Sequence, residues 1–133
     1  MPRFSEAAAT LRLERAAFGM TRGLRAAHEL AVMQERVIAW TWDEAARRAR
    51  LAQMEDDGRM TQMPGPIGQG ELVPSALRVS VDFDESEEAG QLLFFPDGTS
   101  QPGRLHLVDA RAAYTITVDA STSQPRLAAD AAP

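Results

Sequence analysis

The chain has 133 residues, of which 25% are charged and 44% hydrophobic, and this composition suits one soluble domain with its own core. A net charge of −5 argues against a general nucleic-acid binder, because such proteins need a basic surface to neutralise phosphates. The absence of cysteine excludes disulfides and thiolate metal sites, and no stretch approaches the roughly 20 apolar residues that span a bilayer.

Residues 1–36 predict one long N-terminal helix, with Ser5 as its N-cap. Apolar and mostly small residues recur along it at alternating spacings of four and three: Leu13, Ala17, Met20, Leu24, Ala27 and Ala31. Gly19 and Gly23 each weaken a helix by roughly 1 kcal/mol relative to alanine. Such a stripe can lie flat on a sheet or let another helix come close, and we interpret it as packed on its own domain.

Residues 37–119 predict an antiparallel β domain. Ile38, Trp40 and Trp42 alternate with other residues, which is a strand pattern. Residues 44–54 could equally be helical, and we interpret 47–54 as a weaker return strand because a strand precedes it. Residues 55–75 hold four glycines and three prolines, which predicts an unusually long loop. We expect this loop to contact a partner, because surface loops can carry binding without disturbing the scaffold. The candidate contact residues are Met60, Met63, Pro64, Ile67 and Leu72.

Four further strands are predicted at 77–83, 92–95, 105–107 and 114–118, and their short connections favour an antiparallel meander. The tail, 120–133, is small, polar and alanine-rich, and we expect it to be flexible. The order of one long helix followed by strands alone predicts an α+β fold. The residues expected between helix and sheet are Leu13, Met20, Leu24, Ala27 and Ala31 on one side and Ile38, Trp40, Leu105, Ile116 and Val118 on the other.

The sequence FFPDGTSQPGRLHL predicts a type I turn that ends one strand and leads, through a longer loop, into the next strand of a hairpin. Proline suits the second position of such a turn, and Asp97 and Gly98 suit the third and fourth. The residues of this hairpin signature are Phe94, Phe95, Pro96, Asp97, Gly98, Gly103 and Arg104. None of them is arranged as a nucleophile, a base or a phosphate cradle.

This signature, followed by Tyr114-Thr-Ile-Thr-Val-Asp119, resembles the C-terminal half of the GspH/FimT family. The family comprises minor pseudopilins of type II secretion and related minor pilins of type IV pili. Leu24-Arg-Ala-Ala-His-Glu29 and Glu35-Arg-Val-Ile-Ala-Trp40 resemble the family's junction between helix and first strand. The family's basic leader and its apolar helix with a glutamate at the fifth position are not in this sequence, so its cleavage site, methylated N-terminus and membrane anchor are assigned to no residue here.

The resemblance implies a pilin-like fold and a structural assembly protein without catalytic residues, cofactor or metal. It implies a periplasmic domain of a bacterial inner-membrane-anchored subunit, built into the pseudopilus near its tip to help export folded proteins across the outer membrane. The implied partners are the major pseudopilin and the minor tip subunits. Contact with the membrane would run only through an N-terminal helix missing from this chain.

Other chemistry is weakly supported. His28 and His106 are the only histidines, and neither lies in a zinc-binding spacing. The acidic cluster at 82–88 reads as a solvated loop, since an EF-hand would need glycine where Glu87 stands, and a looser calcium site stays open. The alternative function is that of a FimT-like minor pilin that binds DNA through C-terminal arginines. The tail offers only Arg126 for this, so we expect no nucleic-acid partner.

Overall fold

A single helix, α1 (Pro2–Gln34), accounts for the first quarter of the chain. The computed structural model describes residues 2–83 and 90–130, without the side chains of residues 2–6 and 9. The helix begins at Pro2 because proline lacks an N–H and has a helical φ, which favours it in the first turn. Ser5 therefore lies inside the helix, and the prediction that it forms the N-cap is wrong.

The helix ends where Glu35 adopts a left-handed conformation, with a φ of 54°. The N–H of Arg36 then donates to the carbonyl of Ala31 at 3.2 Å, which satisfies one of the last helical carbonyls. The chain leaves the helix in this way and enters the first strand at Ile38.

Among the described residues, eight strands follow the helix and form two four-stranded sheets, in which all pairs are antiparallel. The strands are β1 (Ile38–Asp43), β2 (Arg48–Met54), β3 (Met60–Gln62), β4 (Arg78–Asp82), β5 (Gln91–Phe94), β6 (Gly103–Val108), β7 (Ala113–Val118) and β8 (Pro125–Ala129). Sheet A has the order β3-β2-β1-β5, and sheet B has the order β4-β6-β7-β8. The fold is therefore α+β, as the sequence predicted, and the return strand expected at 47–54 is confirmed as β2.

The core lies between α1 and the two sheets. All ten residues expected at this interface are buried, none of them more than 5% exposed, so that prediction is confirmed. Alternation selects the buried face of each strand, as in β6 and β7, where Leu105 pairs with Ile116 and both are fully buried. The rings of Trp40 and Phe83 meet edge to face at 6.0 Å between centroids.

The predicted meander is wrong, because β5 does not pair with its neighbours in sequence. Residues 84–89, which hold most of the acidic cluster, lie outside the described residues. After them β5 joins β1 in sheet A, and the chain then returns to sheet B as β6. Leu92 and Phe94 pair there with Trp40 and Ile38, and all four are fully buried. These large apolar pairs select the partner strand, whereas short connections alone do not.

The tail is also more ordered than expected, because residues 125–129 form β8 at the edge of sheet B. Ser123 is fully buried, and Pro125 is buried too. The Ser123 N–H donates to the carbonyl of Asp119 at 2.7 Å, which turns the chain back along β7. The prediction of a flexible tail from Ala120 onward is therefore wrong for residues 125–129, which pair with β7 through their backbone. Their sequence contains too few apolar residues to show a strand pattern.

Candidate interaction surface

The signature turn at 95–99 is held together by its own polar groups. The N–H of Phe95 donates to the carbonyl of Thr99 at 2.8 Å, and that of Gly98 donates to the carbonyl of Phe95 at 3.1 Å. The Thr99 hydroxyl and N–H both donate to Asp97 Oδ1, at 2.6 and 3.0 Å. These two bonds, the hydroxyl first, lower the pKa of the Asp97 carboxyl below its ordinary value. Gly98 completes the turn with a φ of 89°.

The rest of the signature joins the two sheets instead of forming a hairpin. The Gln101 N–H donates to the Leu93 carbonyl at 3.0 Å, so a short return runs beside β5. The chain then crosses to sheet B, where Gly103 begins β6 and Arg104 is exposed. The hairpin predicted between β5 and β6 is therefore wrong. Phe94 is fully buried, and the signature is mainly a structural feature of the fold.

His28 connects α1 to turns from both sheets. Its Nε2 lies 3.3 Å from the Gly98 carbonyl oxygen, and its Nδ1 lies 3.3 Å from Gln124 Nε2. A neutral ring with the proton on Nε2 satisfies both contacts, because Nε2–H donates to the carbonyl and Nδ1 accepts from the amide. His28 thus has a structural role on the helix. His106, on β6, also has a structural role, because its Nδ1 lies 3.1 Å from the Thr115 hydroxyl.

The loop expected at 55–75 is a structured segment that follows β2. It contains β3 and a 3-10 turn at Pro66–Gly68. The N–H groups of Met63, Gly70 and Val73 donate to β2 or its preceding turn, at 2.9, 2.8 and 2.7 Å respectively. This segment is therefore an extension of sheet A, and it covers part of the core.

The five candidate contact residues of this segment differ in exposure. Met63 is only 6% exposed, and it packs in the core, where no partner reaches it. Ile67 and Leu72 are 49% and 62% exposed, and Met60 and Pro64 are exposed as well. Some apolar side chains of the segment, such as Met63 and Val73, point into the core, whereas Ile67 and Leu72 stay on the surface. The sequence did not separate these two sets because the segment has no regular period.

A groove of about 490 Å³ separates this segment from α1. We call it the α1 groove: one wall is the helix face around Gly19 and Gly23, the other wall is 66–74, and the floor is formed by Trp40 and Leu51. Its volume lies in the range of ligand and peptide sites in proteins. The groove is not apparent from the helix sequence alone, because the wall opposite Gly19 and Gly23 is formed by residues that are distant in sequence.

The indole of Trp40 has an unusual position in this floor. The side chain is fully buried, and its Nε1–H has no hydrogen-bond partner among the described residues. An unpaired buried donor costs about 1–3 kcal/mol of stability, so such groups are rare in native proteins. A Cβ atom added at Gly23 would lie 3.4 Å from this nitrogen, so the indole N–H lies close against the helix at this glycine. By contrast, Trp42 Nε1 donates to Glu44 Oε2 at 2.6 Å.

The polar side chains around the groove are mainly donors. Arg15 bonds Glu71 across the mouth at 3.4 Å, and both side chains are largely exposed. Arg50 bonds Asp43 at 3.1 Å, and this contact, after the N–H of Ala46, lowers the pKa of the Asp43 carboxyl. Arg12 makes no ion pair or hydrogen bond with any described residue. The groove therefore combines an apolar lining with unused positive charge and an unused N–H.

The described residues contain no group of three or more His, Cys, Asp or Glu side chains placed to hold a metal ion. Within the same residues, no helix combines the length and the apolar character needed to cross a membrane.

Comparison with known proteins identifies the family. The family model described as "Type II transport protein GspH" matches residues 16–122. A search of curated proteins finds no match. Two solved structures of the minor pseudopilin EpsH of the Vibrio cholerae type II secretion system share the fold. One is 18% identical, with 89% of this chain and 97% of that chain covered and a TM-score of 0.73, and the other is 16% identical, with 92% and 96% covered and a TM-score of 0.72.

The type IV minor pilin FimU of Pseudomonas aeruginosa has a similar fold, at 15% identity, with 98% of this chain and 96% of that chain covered and a TM-score of 0.64. Identities this low compare the folds alone, whereas the family model covers most of the sequence, including the end of α1 and the signature turn. The chain therefore belongs to the GspH family, the minor pseudopilins of type II secretion, which are structural proteins and not enzymes.

Proposed function

We propose that the chain is a subunit near the tip of the type II secretion pseudopilus, where it helps to export folded proteins across the outer membrane. Its periplasmic domain bridges the major pseudopilin and the minor tip subunits, and an N-terminal helix outside this sequence anchors it in the inner membrane. The observation that supports the proposal is the family match over residues 16–122, because membership of the pseudopilin family implies assembly with other pseudopilins.

The surface supports a role in contacts. Besides Ile67 and Leu72, the helix exposes Leu11 and Phe18, at 64% and 49%. Single exposed apolar residues are common, but these four belong to α1 and to the segment that faces it across the α1 groove. We propose this side of the domain as the region that contacts other pseudopilins, with Met60 and Pro64 at its edge.

A pull-down tests the proposal. The 133-residue chain is mixed, in physiological salt, with the soluble domains of the other pseudopilins of the same system, and with single-stranded and double-stranded DNA in parallel. Stable binding of a pseudopilin domain, without DNA binding, is the expected result. Salt-sensitive binding of DNA alone would instead support the second candidate, a DNA-binding minor type IV pilin.

Point variants test the contact region better than deletion of the loop. Removing 60–75 would also remove Met63 and Val73 from the core, so lost binding would not be informative. Ile67→Asp and Leu72→Asp instead place a charge on exposed positions, and each should weaken binding roughly tenfold or more if the side chain is buried by the partner. Val108→Asp, at an exposed apolar position on sheet B, is the control. Equal binding by all three variants and the wild type would place the contact elsewhere.

A further inference from the structure

The two outer strands of sheet B have backbone groups that are unpaired on one side. Strand β4 pairs only with β6, and β8 pairs only with β7. No backbone hydrogen bond joins 78–82 or 125–129 to any other described part of the chain. In sheet A, by contrast, the return at 99–101 flanks β5, and β3 has only three residues. Free N–H and C=O groups along a sheet edge can pair with a strand of another chain.

Hydrogen bonds just beyond the strand ends show which of these backbone groups are free. The N–H of Asp109 donates to the Ala112 carbonyl at 3.0 Å, and that of Asp130 donates to the Ala113 carbonyl at 2.9 Å. Bonded and non-bonded pairs alternate along an antiparallel ladder, so β6 bonds β7 through its odd-numbered residues and β4 through its even-numbered ones. The residues whose N–H and C=O groups point away from sheet B are therefore Val79 and Val81 in β4 and Leu127 and Ala129 in β8.

The side chains of the two edges are complementary in charge. On the outer face of the sheet, Arg78 and Asp82 are exposed at the two ends of β4, and Arg126 and Asp130 are exposed along β8 and directly after it. Arg78, Asp82 and Arg126 make no ion pair or hydrogen bond with a described residue, although Arg126 acts at longer range on Asp119. The Asp130 carboxylate accepts from one hydroxyl group, at 2.7 Å. Each edge thus has one cation and one anion available.

We propose that β4 of this chain pairs head to tail with β8 of a second copy. The four strands of sheet B alternate in direction, so β4 and β8 run in opposite directions, and two copies in the same orientation pair antiparallel. The register that sets Arg78 against Asp130 of the second copy also sets Asp82 against its Arg126. Opposite charges placed directly across two strands stabilise their pairing. The inference goes beyond the proposed function and concerns this chain alone.

The same register matches the free backbone groups. It sets Val81 opposite Leu127 and Val79 opposite Ala129, so that each pair can exchange both N–H···O bonds. Val81 and Leu127 are half-buried and pack against the core on the inner face, so their pairing continues that face into the second copy. A shift by one residue would set free N–H groups against bonded ones, and a shift by two would break both charge pairs.

A second β4 is the main competitor for this edge. Two β4 strands would also set Arg78 against Asp82, but a two-fold axis would relate the copies and turn their α1 helices in opposite directions. Such a pair leaves the charges of β8 unused. Head-to-tail pairing uses the charges of both edges and keeps the helices parallel, which is compatible with anchoring in one membrane. It also leaves one free edge at each end, so further copies can add.

Amide exchange of the wild-type chain tests the register, because only alternate residues gain a partner. Exchange with water is measured by NMR on the 15N-labelled chain at a series of concentrations up to the millimolar range. The N–H groups expected to slow at high concentration are those of Val79, Val81, Leu127 and Ala129. They should slow roughly twofold when half of the chains are associated. Ser80 and Ala128 already bond within sheet B and are the internal controls.

Charge reversal tests the two ion pairs. Asp82→Arg and Arg126→Glu each set like charges across the interface, and each should weaken self-association roughly three- to tenfold in sedimentation velocity. The double variant restores opposite charges and the net charge of the wild type, and should recover wild-type association. Arg25→Glu, on an exposed face of α1, is the control for the charge change and should stay within about twofold.

A mixture of the two single variants tests the head-to-tail arrangement. The unaltered β4 of Arg126→Glu fits the unaltered β8 of Asp82→Arg, so the mixture should associate more strongly than either variant alone. Unchanged association of Arg126→Glu would indicate β4–β4 pairing and overturn the proposal. Amides that do not slow with concentration would also overturn it, and slowing only when another pseudopilin domain is added would exclude a second copy as the occupant. None of these results decides the proposed function, which the pull-down tests separately.

Discussion

At the scale of single residues, Gly103 shows what a signature glycine does in this fold. Its φ is not left-handed, so the reason for glycine is space: an added Cβ would lie 2.4 Å from Phe83 Cδ1 and 3.2 Å from Leu92 Cδ1. We expect Gly103→Ala to lower the free energy of unfolding by about 1–3 kcal/mol, because a packed ring must move. Urea unfolding measures this, with Gly19→Ala as the control, because its added methyl would meet only the end of the Arg22 side chain, at 3.8 Å. Equal stability of the two variants would contradict the close approach.

Asp97 gives a prediction about pH at the same scale. Its folded pKa is lowered by Thr99, so its stabilising effect is present above the ordinary aspartate pKa and is lost as the pH falls through the lower folded value. Asp97→Asn should be less stable than the wild type at neutral pH, and the difference should shrink below about pH 4. The measurement is the urea midpoint between pH 3 and 7. Thr99→Ser keeps the hydroxyl and should keep the wild-type profile, whereas a difference that does not vary with pH would refute the argument.

At the scale of elements, β8 is the strand that the sequence pattern did not predict. It pairs with β7 through residues 125–129 and also contacts α1. We expect truncation after Asp119 to destabilise the domain, since it exposes an edge of sheet B and removes the buried Ser123 and Pro125. The thermal midpoint should fall by several degrees, since each kcal/mol lost corresponds to about 2–8 °C for domains of roughly 60–250 residues. A truncation after Asp130 is the control and should match the wild type.

The elements that the sequence predicted correctly are those whose own period specifies them. The stripe on α1 and the alternation in β1, β6 and β7 indicated both the element and its buried face. Three features depend instead on contacts between residues distant in sequence: the pairing of β5 with β1, the formation of β8 in the tail, and the burial of Met63. The α1 groove is of the same kind, because Gly23, Trp40 and Leu72 meet only in the folded chain. The hydrophobic pattern within one element contains no information about contacts between different elements.

At the scale of the whole molecule, both sheets share one core with α1. Buried residues of sheet A, such as Trp40, and of sheet B, such as Ile116, belong to the same cluster. We therefore expect one cooperative unfolding transition. Tryptophan fluorescence reports sheet A alone, because Trp40 and Trp42 both lie in β1, whereas far-ultraviolet circular dichroism reports the entire chain.

Ile116→Val in β7 makes this test specific. It should lower the unfolding midpoint seen by both probes equally, by an amount that corresponds to about 0.5–1.5 kcal/mol. A shift in circular dichroism without a shift in fluorescence would show that the sheets unfold separately. Val108→Ala, at an exposed position of the neighbouring strand, is the control and should change neither probe by more than about 0.5 kcal/mol.

The pairing of β1 with β5 also has a consequence for biosynthesis. Strands β1 and β2 meet across a short turn, but the other side of β1 has no strand beside it until residues 91–94 have been made. A nascent chain therefore presents an unpaired edge, with Ile38 and Trp40 on it, during synthesis of the residues between. Such edges recruit other strands, so aggregation of the growing chain should depend on how rapidly the ribosome reaches Phe94.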